Sequence, residues 1–220
     1  MVARYETLSG ASDGYQMAFP KSGFQWLRDH MGVTVECFAS PLNVWNQRFC
    51  SVSVGTDRFF GSLGNFFAFS GIIPVTGHEI DGSDGGSFEA NPPFVESVME
   101  HMARKIEILL NLYRESPVPY SFIVIVPGWD DDTCVSYQIM FNSDFCRPQR
   151  QYKLVLAAKQ HNYHPGMQQR EMRDEQPSNV NTFVFFLQND AGAKKWPITV
   201  DKADTLKAML RQECGVVRRG

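Results

Sequence analysis

The apolar run from Ser121 to Val126 constrains the fold more than any other part of the sequence. It reads Ser-Phe-Ile-Val-Ile-Val and is bounded by Pro119 and Pro127. A strand with one face in water alternates apolar and polar residues, whereas a strand in the centre of a mostly parallel sheet is apolar on both faces. The run therefore predicts a central strand in a sheet that helices cover on both sides.

Helix-like and strand-like segments alternate along the rest of the chain, as judged from apolar spacing and from end signals. In chain order we expect a helix over 22–31, a strand over 33–38, helices over 43–52, 95–113 and 135–142, a strand over 152–157, a polar loop over 159–179, a strand over 182–187 and a helix over 202–212. This alternation predicts an α/β sandwich that binds ligands at the edge where its parallel strands end. We expect a single domain over 22–220, preceded by an irregular lead-in over 1–21.

Charge and cysteine content exclude several classes of protein. A formal net charge of −3 argues against a protein that coats nucleic acid with its whole surface, because such binding needs an excess of Lys and Arg. The five cysteines are widely spaced and never form a Cys-x-x-Cys pair, so neither a disulfide framework nor a metal site is indicated. No apolar stretch approaches the roughly 20 residues that span a membrane. We expect an intracellular protein that binds no metal and no membrane.

The loop Asn91-Pro92-Pro93-Phe94 is the motif best suited to chemistry. An exocyclic adenine amine is a poor nucleophile, because its lone pair is delocalised into the ring. The side-chain oxygen of Asn91 and the carbonyl of Pro92 can each accept one of its hydrogens, which would hold the amine facing a methyl donor. Phe94 offers a flat face on which a base can stack. The competing interpretation is structural, because proline is favoured in the first turn of a helix.

Longer segments around this loop resemble the catalytic region of the phosphorylated-CTD-interacting factor family, the cap-specific adenosine-N6 methyltransferases. The segments that carry the resemblance occur in the family's order between about residues 33 and 200. They are Val-Glu-Cys-Phe-Ala-Ser-Pro-Leu-Asn (35–43), Phe-Gly-Ser (60–62), Gly-Ser-Phe-Glu-Ala-Asn-Pro-Pro-Phe (86–94), Ser-Phe-Ile-Val (121–124), Phe-Leu-Gln-Asn-Asp (186–190) and Lys-Trp (195–196).

The resemblance implies a Rossmann-like class I S-adenosylmethionine-dependent methyltransferase sandwich. The implied reaction is methylation at N6 of the 2′-O-methyladenosine that follows a 7-methylguanosine cap, with S-adenosyl-L-methionine as cofactor. Carried over residue by residue, the catalytic loop is Asn91, Pro92, Pro93 and Phe94, and the cofactor-binding residues are Phe38, Ala39, Ser40, Pro41, Asn43 and Asn91. For a cellular protein the family favours the nucleus, with the cytoplasm as the alternative.

This sequence also departs from the family pattern. Family members usually carry a WW domain and a helical domain before the catalytic region, and we expect neither in this chain. Because the helical domain supplies part of the cap-binding surface, a protein partner is a candidate source of the missing RNA contacts. Two alternatives therefore stay open: adenine-N6 methylation of another RNA or DNA, and a catalytically silent binding or scaffold module with this fold.

Four further residues are candidates for ligand contacts, each with a structural alternative. Asp57 is expected to bind the cofactor ribose or to serve as a turn residue. Glu96 is expected to contact substrate or to complement the dipole of the helix that it begins. Gln188 and Asn189 are expected to read a base or ribose through their amides, or to cap the end of their strand.

Overall fold

The computed structural model describes residues 17–71, 85–165 and 175–217. The strands are β1 (Met17–Ala18), β2 (Val35–Glu36), β3 (Arg48–Phe49), β4 (Gly86–Ala90), β5 (Tyr120–Pro127), β6 (Cys146–Arg147), β7 (Leu154–Leu156), β8 (Asn162–Pro165), β9 (Gln176–Pro177) and β10 (Thr182–Gln188). The helices are α1 (Lys21–Met31), α2 (Val54–Asp57), α3 (Glu96–Leu112), α4 (Val135–Phe141), α5 (Asp190–Lys195) and α6 (Val200–Val217). Within these ranges, no helix is both long enough and apolar enough to cross a membrane.

The larger sheet has seven strands and runs mostly in one direction. Its order is β3-β2-β4-β5-β10-β6, and β7 also pairs with β10. The neighbours β3, β2, β4 and β5 are parallel, whereas β10 is antiparallel to β5, β6 and β7. All eight residues of β5 are buried, which confirms the central strand predicted from the apolar run. The chain therefore has the mixed α/β architecture expected from its sequence.

Helices cover both faces of this sheet. On one face, α3 and α4 contribute Met102 and Tyr137 to a buried cluster that includes Phe122 of β5. On the other face, α1 and α6 contribute Leu27 and Leu206 to a second buried cluster. Each fully buried apolar side chain of this size stabilises the fold by about 1.5–3 kcal/mol. The predicted helices over 22–31, 95–113, 135–142 and 202–212 are confirmed with small shifts at their ends.

A separate three-stranded sheet, β1-β8-β9, lies where the sequence predicted irregular structure. The prediction of a polar loop over 159–179 is wrong at both of its described ends, which form β8 and β9. Tyr163 in β8 is almost completely buried and its hydroxyl lies 2.9 Å from Thr182 Oγ1. Contacts with the larger sheet therefore stabilise strands in the segment 159–179, whose polar composition does not predict them.

The helix predicted over 43–52 is also wrong. Residues 41–43 form a turn, and the chain then enters β3, which pairs in parallel with β2. The backbone N–H groups of Trp45 and Asn46 both donate to the carboxylate of Glu36 instead of to helical carbonyls. A buried acid thus competes successfully for the donors that a helix would need. The strand predicted over 33–38 is correctly placed but shorter, Val35–Glu36.

Candidate functional site

A cleft of about 300 Å³ opens where the order of the parallel strands reverses. β3 lies on one side of β2 and β4 lies on the other, so a gap remains beyond the carboxyl ends of β2 and β4. Ligands of open α/β sheets bind in such gaps. The loops that follow the two strands contribute the wall residues Phe38, Ala39, Ser40 and Asn43 after β2, and Asn91, Pro92 and Pro93 after β4.

Asn91 has one amide atom engaged and the other unpartnered. Its Nδ2 donates to the backbone oxygen of Met17 at 2.7 Å, which fixes the orientation of the amide. Its Oδ1 is buried and has no hydrogen-bond partner among the described residues. Buried polar atoms are nearly always paired, so an unpaired acceptor in a cleft indicates a donor supplied by a ligand. The predicted acceptor residue of the loop therefore lines the cleft, and its buried Oδ1 is without a partner among the described residues.

Phe94 is directed away from the cleft walls that its loop forms. Its half-buried ring packs with the second apolar cluster and meets Tyr163 edge-on, with ring centroids 6.1 Å apart and an interplanar angle of 76°. Edge-to-face packing of this kind fixes the orientation of both rings. The stacking role predicted for Phe94 stays a prediction, and its ring is held in one place by the smaller sheet.

The loop after β2 is held by its own hydrogen bonds. Asn43 Oδ1 accepts from Ser40 N at 2.8 Å and from Ser40 Oγ at 2.9 Å, and Ala39 N donates to Cys50 O at 3.0 Å. Asn and Ser stabilise tight turns through such side-chain to backbone bonds. Pro41 lies at the start of this turn and is not among the residues that line the cleft. The turn thus presents Ser40 and Asn43, two of the predicted cofactor-binding residues, in a preformed wall.

Two acids that the sequence reasoning missed line the same cleft. Glu36 and Glu89 are 3% and 1% exposed and are register partners on the neighbouring parallel strands β2 and β4. Burial raises the pKa of Glu36 to about 7, and burial together with the neighbouring Glu36 raises the pKa of Glu89 well above its usual range. Acidic residues in the middle of buried strands were the available signal, because charged side chains are rarely fully buried without a function or a partner.

Asp57 and Glu96 lie outside the walls of this cleft. Asp57 is buried at the end of α2, where its Oδ1 accepts from Thr56 Oγ1 at 3.0 Å. Glu96 begins α3 and accepts hydrogen bonds from Ser136 N at 2.9 Å and from Ser136 Oγ at 2.8 Å. Glu96 therefore ties the start of α3 to the start of α4. Ligand contacts by either acid remain predictions.

Gln188 and Asn189 lie at the sheet edge opposite the cleft. Because β10 runs antiparallel to β5, Gln188 pairs with Ser121 at the beginning of β5. Asn189 Oδ1 accepts from Tyr120 N at 2.9 Å and from Gly192 N at 2.8 Å, and its Nδ2 donates to two backbone carbonyls. The structure gives Asn189 a capping role at the start of α5, and its predicted contact with substrate remains untested.

The described residues contain no group of three or more His, Cys, Asp and Glu side chains placed to hold a metal ion. His161, for example, has both ring nitrogens engaged, Nε2 with Thr182 Oγ1 at 2.8 Å and Nδ1 with the backbone oxygen of Ala157 at 3.0 Å. Burial lowers its pKa to about 4. His161 is thus a neutral core residue that links β10 to the chain before β8.

The sheet order and the cleft at the strand reversal define an α/β protein with a candidate ligand-binding cleft at the carboxyl edge of its parallel strands. Comparison with known proteins narrows this class to one family. The family model described as Phosphorylated CTD interacting factor 1 WW domain matches residues 1–166, and the chain belongs to this family. This result confirms the family that the sequence motifs predicted.

Two curated relatives carry the same name. The mRNA (2'-O-methyladenosine-N(6)-)-methyltransferase of Homo sapiens is 37% identical to this chain over 218 residues, and that of Mus musculus is 36% identical over 218 residues. Both alignments cover 96% of this chain but only 28% of the relative. The chain thus corresponds to somewhat over a quarter of each longer protein.

Proposed function

We propose that this chain is the catalytic domain of an S-adenosylmethionine-dependent adenine-N6 methyltransferase that acts on the 2′-O-methyladenosine next to an RNA cap. The observation that carries the proposal is Asn91, which lines the cleft, has its amide oriented by Met17, and keeps a buried Oδ1 that is unpaired among the described residues. The names of the human and mouse relatives support the same reaction and substrate. Family membership further supports a role in the nucleus.

The cleft suits the proposed cofactor in position and in chemistry. Its place at the strand reversal supports a Rossmann-like class I arrangement, in which the loops after β2 and β4 meet the ligand. We assign cofactor binding to Ser40, Asn43, Glu89 and Asn91, whose polar atoms lie on these elements. S-adenosylmethionine, when bound, supplies an electrophilic methyl group on a sulfonium.

The protein's own groups then orient the acceptor amine. Asn91 Oδ1 accepts one adenine N–H, and the backbone oxygen of Pro92 accepts the other. These two bonds keep the nitrogen lone pair directed along the line of transfer and disperse the positive charge that develops on the amine. Pro92 and Pro93 lack backbone N–H groups that would compete for these acceptors. Phe94, held edge-on by Tyr163, is proposed to support the base.

A panel of short RNAs tests the assigned substrate. The oligonucleotides carry a 7-methylguanosine cap followed by 2′-O-methyladenosine, the same cap followed by 2′-O-methylguanosine, or an uncapped 5′ adenosine. Mass spectrometry of nuclease digests should detect N6-methyl product only from the first RNA. Equal product with and without the cap would replace cap-adjacent adenosine by another adenine substrate. No product, together with no cofactor binding, would favour a silent scaffold module.

A further inference from the structure

Glu36 and Glu89 bring two carboxyl groups together at the end of the cleft formed by β2 and β4. They are register partners, and the bond from Cys37 N to Glu89 O at 2.8 Å continues the same ladder. Both side chains are almost fully buried, and both residues line the cleft. Two adjacent buried carboxyl groups cannot both be ionised without a compensating positive charge.

The two acids are not equivalent. Glu36 Oε1 accepts from Trp45 N at 2.8 Å and also from Asn46 N, so this side chain holds the segment that leads into β3. Glu89 Oε1 is buried and has no hydrogen-bond partner among the described residues. An unpaired buried carboxylate oxygen costs free energy that a bound donor recovers. Glu89 is therefore the acid of the pair with an atom left for a ligand.

The described residues around Glu89 place no positive charge in the cleft. Of the described residues that line the cleft, none is Lys, Arg or His. Three titratable groups interact electrostatically with Glu89: Glu36 on β2, Cys37 directly after β2, and Tyr163 on β8. Each of them is neutral when protonated and negatively charged when ionised. Burial also raises the pKa of Cys37 and Tyr163, so both stay neutral near pH 7. The residues of the cleft thus favour a proton on the carboxyl pair, and they disfavour anionic groups.

We propose that Glu89 is the acceptor for the α-ammonium group of the cofactor, and that this ammonium replaces a proton held by the Glu36–Glu89 pair. The inference rests on the proposed function, because it takes S-adenosylmethionine and its product as the ligands. On binding, one carboxyl group releases its proton to solvent, and the resulting carboxylate accepts an ammonium N–H. The O–H bond of that carboxyl group is the only covalent bond that breaks, and its proton is taken up by the solvent. Glu89 and Asn91 share a face of β4 and its extension, so the two unpaired acceptors serve neighbouring donors.

Calorimetry with two nucleosides distinguishes an ammonium contact of Glu89 from a general effect of its substitution on the shape of the cleft. S-adenosylhomocysteine carries the ammonium, whereas 5′-methylthioadenosine lacks the whole amino-acid part. Wild type should release a proton when it binds S-adenosylhomocysteine, and calorimetry in buffers of different ionisation enthalpy measures this release. Because one proton is released, the affinity should rise with pH by at most about tenfold per pH unit. Glu89→Gln should lose at least about tenfold in affinity for S-adenosylhomocysteine. Its affinity for 5′-methylthioadenosine should stay within about twofold, because that ligand makes no ammonium bond.

Glu107→Gln is the matched control. Glu107 is also a partly buried acid with a raised pKa and an unpaired Oε1, but it lies on α3 outside the cleft. Its substitution should leave both affinities and the proton release unchanged. Equal weakening of both nucleosides by Glu89→Gln, or no change in either, would overturn the ammonium assignment. If wild type bound neither S-adenosylmethionine nor S-adenosylhomocysteine, the proposed function itself would fail, and this subsite with it.

Discussion

At the scale of single residues, protonation of the buried acids in the cleft affects both the proposed ligand binding and the stability of the fold. Burial of the Glu89 carboxyl group beside Glu36 costs less free energy when the group is protonated than when it is ionised. Its folded-state pKa lies above the usual value of 4.5, so the folded protein binds this proton more tightly than the unfolded chain. The resulting contribution to stability is complete below the unfolded pKa, and it is lost as the pH rises toward the folded pKa.

Glu89→Gln should therefore remove a pH dependence from the free energy of unfolding. Relative to wild type, the variant should gain stability as the pH rises from about 5 to about 8, by up to about 1.4 kcal/mol per pH unit. Denaturant titrations at several pH values measure the difference. The exposed-face variant Glu100→Gln, which affects only a helical ion pair with Arg104, should give a flat difference. If the difference in free energy of unfolding between Glu89→Gln and wild type did not change with pH, this result would contradict the raised pKa of Glu89.

Asn189 tests a different residue-scale conclusion, that its amide serves the fold. Asn189→Ala removes four hydrogen bonds and leaves buried backbone groups of Tyr120 and Gly192 without partners. The free energy of unfolding should fall by at least about 2 kcal/mol. Asn111→Ala on the exposed side of α3 serves as control. Normal stability combined with a specific loss of RNA binding would instead support the contact with substrate predicted from the sequence.

Some of the site could be predicted from residue types alone and some could not. The chemistry of Asn91 follows from the amide and from the two prolines after it, because few side chains offer such an acceptor in a stiff loop. Glu36 and Glu89 lie within the segments 35–43 and 86–94 that carry the family resemblance, but each is a single acid in an apolar strand, and nothing in its local spacing predicts a ligand contact. Only their pairing across β2 and β4, which the sequence does not specify, brings them into one cleft.

At the scale of elements, the smaller sheet positions the proposed catalytic loop. β1 supplies the Met17 oxygen that orients Asn91, and β8 supplies the Tyr163 ring that meets Phe94. Both ends of the Asn-Pro-Pro-Phe loop thus contact strands of the smaller sheet. A change in this sheet should alter the methyl acceptor's geometry more than the binding of the cofactor.

Substitutions of Tyr163 measure this effect. Tyr163→Leu loses the ring contact with Phe94, and methyl transfer should fall by about tenfold to a hundredfold while cofactor affinity stays within about twofold. Tyr163→Phe keeps the ring and loses only the hydroxyl bond to Thr182, so it should keep its activity and lose about 1 kcal/mol of stability. Equal loss of activity in both variants would argue against the ring contact as the cause.

Elements with a strong local pattern were predicted correctly, and those formed by distant contacts were not. The apolar spacing of α3 and the continuous runs of β5 and β10 are visible in the sequence, because their burial repeats with the period of the element. β3 depends on its pairing with β2, and β8 on its pairing with β1 and β9 and on the contacts of Tyr163. Local propensity carries no information about such long-range partners.

At the scale of the whole molecule, strand direction decides which loops meet. The parallel strands β2 and β4 end at the cleft, whereas antiparallel β10 ends at the opposite edge. The loops at 38–43 and 91–94 therefore act together, although about fifty residues separate them in the chain. The segment at 189–192 follows β10 and lies away from both.

Hydrogen exchange with and without S-adenosylhomocysteine tests whether the ligand binds at the edge of the sheet where β2 and β4 end. Peptides that cover 36–43 and 89–94 should exchange more slowly with the ligand, because the cleft walls become less mobile and less exposed. Peptides that cover 186–192 should not change. Protection confined to 186–192 would place the ligand at the other edge of the sheet.

The most direct test of the central claim follows a deuterated methyl group from S-adenosylmethionine to N6 of the cap-adjacent adenosine in wild type and in Asn91→Ala. Loss of one preorganised hydrogen-bonding group should lower the rate of transfer by about 100-fold or more. Transfer is measured at saturating S-adenosylmethionine, so that weaker cofactor binding by Asn91→Ala does not lower the measured rate. Asn142→Ala, an exposed change at the end of α4, should transfer at the wild-type rate. Transfer by Asn91→Ala at the wild-type rate would contradict the assigned role of this side chain.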